Sequence, residues 1–210
     1  MLRNLGVIRS AARRIADAAE RSIEDLNQRL VEQEPHLTDR MLGRIAEAME
    51  GQRKHGVKWT AKTLTDHGPG TQEKEYGADF IGVLDIAIPG YRVAKGFLAQ
   101  SKLIKNGTMP TREFRRMVDQ CKQMLELSPS SYVFGMESTG IRVIPAVAVV
   151  ASSGPEYIFS PDSVYSRKVS SFYEAHFECF IGDLNIHEPS EDTLARLRAR
   201  SLLYLAARTG

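Results

Sequence analysis

Apolar residues recur along this chain with two periods, and each period predicts one kind of secondary structure. From Leu5 to Leu30 they return every three or four positions, which predicts one long amphipathic helix that ends before Pro35. A second stripe with the same period predicts another helix over residues 38–51. Two helices are therefore expected ahead of any strand.

Five later segments are rich in β-branched, aromatic and other apolar residues, which favours strands. They cover residues 56–65, 79–88, 91–104, 132–136 and 141–150, and a helix is expected over residues 111–127 between the third and the fourth. Pro145 lies inside the last segment and implies a bulge or an edge position there. This order of elements predicts an α/β sandwich around a mixed sheet of about five strands flanked by helices.

Two more helical patterns, over residues 164–180 and 190–207, follow the predicted sheet. We therefore expect an N-terminal helical arm at residues 1–37, a core at residues 38–150 and a C-terminal helical extension, packed on that core, at residues 151–210. The 210 residues, of which 42% are hydrophobic, provide enough apolar material for one main core.

Composition constrains the environment of the protein more than its function. Lys and Arg outnumber Asp and Glu by only 28 to 26, so a surface for a polyanion must come from local clustering. The two cysteines, Cys121 and Cys179, have no CxxC spacing, which argues against a zinc site or a disulfide framework and favours a reducing cytoplasm. No segment approaches the roughly eighteen apolar residues of a membrane span, so no membrane partner is expected.

The second and third predicted strands place three polar groups together. Side chains alternate across a strand, so Gln100 and Lys102 project to one face and Ser101 to the other. If the hairpin closes at the Pro-Gly dipeptide between the strands, Asp79 falls opposite Gln100. A carboxylate, an amide and an ammonium group then converge at the open end of the hairpin.

This arrangement resembles a known family of enzymes. A Gly-Ala-Asp strand start that ends at Asp79, followed by a hairpin to Gln100-Ser101-Lys102, is similar to the PD-(D/E)xK nuclease superfamily, in the Gln-x-Lys branch found in Mrr-like endonucleases. The resemblance covers roughly residues 38–150 and implies a restriction-endonuclease-like core with extra N- and C-terminal helices.

The resemblance also implies a metal site and its chemistry. Asp79 and Gln100, with an adjacent backbone carbonyl, would hold Mg²⁺, for which Mn²⁺ can substitute, and Lys102 would position or activate water. Phosphodiester hydrolysis suits such a site, because a hard cation with few protein ligands takes up charge on the phosphate. Gln in place of the commoner Glu removes one formal charge from the metal shell.

One further acidic residue is expected near this site. The resemblance points to Glu73, just before the first hairpin strand, with Glu75 as its rival. Relatives also carry a carboxylate on the first core helix, which makes Glu50 or Glu47 a candidate, although an exposed Glu on the helix surface is the favoured interpretation.

A basic cluster follows the Gln-x-Lys triplet. Lys105, Arg112, Arg115 and Arg116 gather at the end of the strand and the start of the next helix, where they could hold a nucleic-acid backbone. A solvated helix start is the alternative interpretation.

The resemblance implies a metal-dependent DNA endonuclease, a Mg²⁺-dependent deoxyribonuclease that is an effector or subunit of a bacterial defence or restriction system with a partner protein. The alternative is a catalytically silent module with a nuclease fold that binds nucleic acid or scaffolds an assembly.

We also expect a homodimer, because the long N-terminal stripe and the leucine-rich C-terminal segment offer much apolar helix surface, and duplex cleavage needs two sites. Ordinary packing of the N-terminal helix on its own core is the competing interpretation.

Overall fold

The computed structural model describes residues 2–65, 77–105, 107–153 and 164–210. Its helices are α1 (Leu2–Asn27), α2 (Glu34–Met49), α3 (Thr111–Leu127), α4 (Ala146–Ala151), α5 (Val169–Phe177) and α6 (Glu191–Arg196). Its strands are β1 (Arg53–Lys54), β2 (Val57–Thr65), β3 (Ala78–Ile88), β4 (Tyr91–Leu103), β5 (Ser131–Glu137), β6 (Gly140–Pro145), β7 (Arg167–Lys168) and β8 (Ala199–Thr209).

The described strands form one mixed sheet in the order β1-β2-β8-β3-β4-β5-β6-β7. The pairs β8–β3 and β4–β5 are parallel and the remaining pairs are antiparallel. The predicted α/β class and the predicted order of α2, β2, β3, β4, α3, β5 and β6 are confirmed. The sheet has eight strands among the described residues instead of about five, so the expected strand count is wrong.

The largest departure from the sequence prediction is β8, which occupies the middle of the sheet between β2 and β3. A helix was expected over residues 190–207, but only the six residues of α6 are helical there. The apolar residues of β8 are buried on both faces of the sheet over most of its length. Such a run is apolar at nearly every position, so the spacing of its apolar residues does not distinguish a strand from a buried helix. The division into three segments stays a prediction, although the last segment contributes a central strand to the sheet.

Two hydrophobic clusters cover the two faces of the sheet. Helices α1, α2 and α5 pack on one face, where Phe80 of β3 lies, and α3, α4 and α6 pack on the other, where Ile81 lies. The alternation of neighbouring residues between the two faces follows from the pleat of the strand. No helix in the described part of the chain combines the length and apolarity needed to cross a bilayer.

The apolar stripe of α1 is buried within the chain. Ile8, Ile15 and Ile23 are each at most 4% exposed and belong to the core cluster that α1 shares with α2 and α5. Ordinary packing on its own core therefore accounts for this helix. The apolar helix surface that motivated a homodimer is covered, and the homodimer itself stays a prediction.

Two prolines lie at helix starts, although they were expected to end a helix or to disturb a strand. Pro35 occupies the first turn of α2, which begins at Glu34 instead of residue 38. Pro145 ends β6 and precedes α4, so the strand expected over residues 141–150 is wrong beyond 145. Proline suits a helix start because its backbone nitrogen carries no hydrogen that would need a partner there.

A buried histidine lies in the aromatic core beneath α5. The ring of His176 is 5.1 Å from the ring of Phe97, edge to face, and its Nδ1 is 3.3 Å from the carbonyl oxygen of Ile181. Burial and, to a smaller extent, the neighbouring Lys95 ammonium together lower the pKa of His176 to about 3. These contacts give His176 a structural role in the aromatic core.

We predict that His176 makes the fold sensitive to acid. The unfolded chain binds a proton at His176 near pH 6.5, whereas the native state does so only near pH 3, so stability falls as pH drops between these values. The slope for one such group reaches about 1.4 kcal/mol per pH unit. Urea midpoints measured from pH 6.5 to pH 4 should fall less steeply for His176→Gln than for the wild type, whereas the exposed control His187→Gln should keep the wild-type slope. An unchanged slope in His176→Gln would contradict this role.

Candidate active site

The hairpin of β3 and β4 has the register that the sequence predicted. Its pairs run from Ile88 and Tyr91 at the turn to Phe80 and Ala99 at the open end. One further step along this register places Asp79 beside Gln100, near the start of β3 and the end of β4.

Asp79 accepts two hydrogen bonds from the triplet. Gln100 Nε2 donates to Asp79 Oδ2 at 2.5 Å, and the backbone N–H of Ser101 donates to the same oxygen at 2.8 Å. No hydrogen bond among the described residues reaches Asp79 Oδ1. Within the described residues, hydrogen bonds thus fix one carboxylate oxygen of Asp79 and not the other.

Lys102 is held by a carboxylate that the sequence analysis did not select. Lys102 Nζ donates to Glu34 Oε1 at 3.1 Å, and the backbone N–H of Leu103 donates to Glu34 Oε2 at 2.9 Å. Both carboxylate oxygens of Glu34 are therefore engaged by the end of β4. The sequence signal that would have found this residue is the pair Glu34-Pro35, which is typical of a first helical turn.

A second residue that was missed fixes the start of α2. Arg200 of β8 donates to Asp39 Oδ1 at 2.7 Å and to the carbonyl oxygen of Pro35 at 3.2 Å. These bonds tie the first turn of α2, with Glu34, to the neighbouring strand. Arg200 could not be assigned to the site from sequence because its segment was predicted to be helical.

The site leaves the charge of Asp79 incompletely compensated. Burial raises the pKa of Asp79 above its usual value, and the nearby Glu34 carboxylate raises it further. Lys102 and Arg200, together with the Ser101 N–H, act in the opposite direction without outweighing burial. Burial of Asp79 therefore outweighs the positive charge near it, and Lys102 and Arg200 each also bind another carboxylate.

The oxygen atoms at this position are suited to a hard divalent cation. Gln100 Oε1 is buried and accepts no hydrogen bond within the described residues, and Nε2 of the same amide donates to Asp79. Within the described ranges no group of three or more His, Cys, Asp or Glu side chains is placed to hold a metal ion. Mg²⁺ commonly takes one or two carboxylates and completes its shell with water, so Asp79, Gln100 Oε1 and a backbone carbonyl are a fitting donor set.

The structure describes two of the four other acidic residues that were predicted for this site. Glu73 and Glu75 lie outside the described residues. Glu50 follows the last turn of α2 and accepts a hydrogen bond from the Ala61 N–H at 2.6 Å. Glu47 lies in the last turn of the same helix, which is roughly 24 Å long, at the end opposite Glu34. Both candidates on this helix thus lie at the end opposite the residue that holds Lys102, and their role in the site stays a prediction.

A cleft of about 920 Å³ opens beside Lys102 and Glu34. Lys105 and Arg116 line it, together with the residues that begin α3. Arg112 and Arg115 are exposed on α3 and are not among the residues that line the cleft. The predicted basic cluster is thus divided between the cleft and the outer surface of one helix.

Comparisons with protein-family models, with curated proteins and with solved structures each find no match for this chain.

We predict that Asp79→Asn stabilises the metal-free protein. The substitution keeps an oxygen that accepts the two hydrogen bonds and removes the charge whose burial is unfavourable. Asp79 is only partly buried, so a gain of about 1 kcal/mol, or roughly 2–4 °C in Tm for a domain of this size, is expected. Thermal melts in chelator would measure it.

The matched control lies on the same strand. Asp85 is paired with Arg208 and accepts a hydrogen bond from Tyr204 Oη at 2.9 Å, so its charge is compensated. Asp85→Asn should lower Tm or leave it unchanged. A lower Tm for Asp79→Asn as well would show that Asp79 is an ordinary structural carboxylate.

Proposed function

We propose that this protein is a metal-dependent DNA endonuclease that hydrolyses phosphodiester bonds. The observation that carries the proposal is the set of polar groups at the open end of the β3–β4 hairpin. Asp79 and Gln100 lie side by side there, and Lys102 is held next to them by Glu34. Polar groups that cluster at a strand end beside an open cleft are more typical of a catalytic site than of a packed core.

The metal would be Mg²⁺, with Mn²⁺ as a substitute, held by Asp79 and Gln100 Oε1. A bound cation would supply the positive charge that takes up the negative charge developing on the phosphate. Burial of Asp79 without full compensation supports this role, because the cation would remove the electrostatic cost. Glu73, outside the described residues, stays the proposed further ligand or base.

Lys102 acts on the attacking water or on a phosphate oxygen. Its ammonium group donates hydrogen bonds and adds positive charge at the edge of the cleft, which orients water and stabilises the transition state. Glu34 is a positioning residue, since its two oxygens fix both the Lys102 side chain and the backbone at Leu103. Arg200 supports that arrangement by holding the first turn of α2.

Basic residues near the cleft would bind the DNA backbone on either side of the cleaved bond. Lys105 and Arg116 line the cleft and are placed for the nearest phosphates. Arg112 and Arg115, exposed on α3, would reach phosphates farther along the duplex.

The finer fold assignment belongs to the same proposal. The order of α2, β2, β3, β4, α3, β5 and β6 supports a restriction-endonuclease-like core. The position of β8 between β2 and β3 is a departure from the five-stranded core that we expected. A role with a partner protein in bacterial defence follows from the resemblance, as does a homodimer that presents two sites to antiparallel strands.

One observation favours the second candidate function, a silent module that binds nucleic acid or scaffolds an assembly. Asp79 bonds to Gln100 and Lys102 bonds to Glu34, so the polar groups of the site partly satisfy one another. The first experiment below separates the two functions.

We predict that Lys102→Ala abolishes cleavage of plasmid DNA in Mg²⁺ or Mn²⁺. Loss of a group that acts in the transition state lowers the rate by about 10²–10⁴-fold. Lys122→Ala, which removes an exposed lysine of α3, is the control and should cleave like the wild type. Wild-type protein that binds DNA without cutting it in either metal would favour the silent module, and cleavage by Lys102→Ala at the wild-type rate would falsify the proposed role of Lys102.

We predict that Gln100→Glu strengthens metal binding. The substitution adds a second carboxylate beside Asp79, so it should lower Tm in chelator and increase the gain in Tm that Mn²⁺ produces. Calorimetric titration with Mn²⁺ should give a lower Kd than for the wild type. Loss of Mn²⁺ binding in Gln100→Glu would remove Gln100 from the proposed metal shell.

A further inference from the structure

A basic surface covers the outer side of α1, away from the cleft. We define the α1 basic surface as Arg13, Arg14 and Arg21 of α1 with Arg53 and Lys54 of β1. Three neighbouring surface clefts meet there, and Arg14 lines all three. Nothing in the proposed catalytic chemistry uses these residues.

The positive charges of this surface are largely uncompensated. Within the part of the chain that the structure describes, none of its four arginines forms an ion pair. Asp17 and Glu47 are the acidic residues that line the same clefts. Arg44, which also lines one of these clefts, forms an ion pair with Asp25 at 2.7 Å. Five basic residues thus face two acidic ones.

The scaffold holds these charges in a fixed arrangement. The opposite face of α1 is buried against α2 and α5, so the helix cannot turn its arginines away. Lys54 Nζ donates to Ser10 Oγ at 2.8 Å, which fastens β1 to the same helix. From Arg13 to Arg21 the helix rises about 12 Å, a length over which a DNA duplex carries roughly seven phosphates on its two strands.

We propose that the α1 basic surface binds the phosphate backbone of double-stranded DNA. Proteins that bind single strands combine positive charge with exposed aromatic side chains on which bases stack. No aromatic side chain is exposed among the residues lining these clefts, and Trp59, which borders one of them, is 3% exposed. A basic surface without exposed aromatic side chains suits a duplex, because the bases of a duplex are already paired and stacked on one another.

This binding is independent of the proposed cleavage. The surface lies by the last turn of α2, whereas Glu34 and Lys102 lie by the first, roughly 20 Å away along the helix. A duplex bound there needs neither a metal ion nor Lys102. The two proposals can therefore fail separately.

The test measures duplex binding in chelator as a function of salt. Fluorescence anisotropy of a labelled DNA duplex would give Kd for the wild type, for Arg14→Gln/Arg21→Gln and for the control Arg29→Gln/Lys122→Gln. Both variants lose two exposed positive charges, but the control residues lie outside the α1 basic surface. Thermal melts would check that both variants fold like the wild type.

We expect the Arg14→Gln/Arg21→Gln variant to lose specific phosphate contacts. The slope of log Kd against log salt should decrease by about 1.8, and Kd at low salt should rise on the order of tenfold or more. The control should stay within about twofold of the wild type with an unchanged slope, as expected when no phosphate contact is lost.

Other outcomes would overturn the proposal. Equal weakening in both double variants would indicate a general charge effect, and an unchanged Kd in Arg14→Gln/Arg21→Gln would exclude the surface from binding. Tighter binding of a single strand or of a double-stranded RNA, lost in the same variant, would assign the surface to that ligand and not to duplex DNA.

Discussion

The register of the β3–β4 hairpin is the constraint on which the rest of this structure depends. A slip of one residue would turn every side chain of a strand to the other face of the sheet and separate Asp79 from Gln100. Gly82, opposite Phe97, helps to prevent such a slip: a Cβ at this glycine would lie 2.3 Å from the Phe97 ring. The Phe97 ring therefore fits against β3 only at a position that has no side chain, as Gly82 does.

Interactions close in sequence could be predicted, whereas those set by distant segments could not. The hairpin follows from two apolar strands around a Pro-Gly turn, and its register placed Asp79 and Gln100 correctly. Glu34 was missed because Pro35 was taken to separate helices instead of starting one. Arg200 was missed because a buried apolar run does not reveal whether it is a strand or a helix.

The site joins three parts of the chain that have different structural roles. The hairpin supplies the functional groups, the start of α2 supplies Glu34, and β8 fixes α2 through Arg200. Burial leaves the charge of Asp79 partly desolvated, so the carboxylate that suits the site for a cation also lowers the stability of the fold. Proteins commonly accept such a burden where function requires it.

The central position of β8 has a consequence for how the protein folds during synthesis. During synthesis β2 and β3 emerge long before β8, which must later lie between them. Until then the facing edges of both strands have unpaired backbone groups, and closing the sheet requires contacts between segments far apart in sequence, which slows folding. A chaperone that shields strand edges on the nascent chain would therefore act on this protein chiefly before β8 leaves the ribosome.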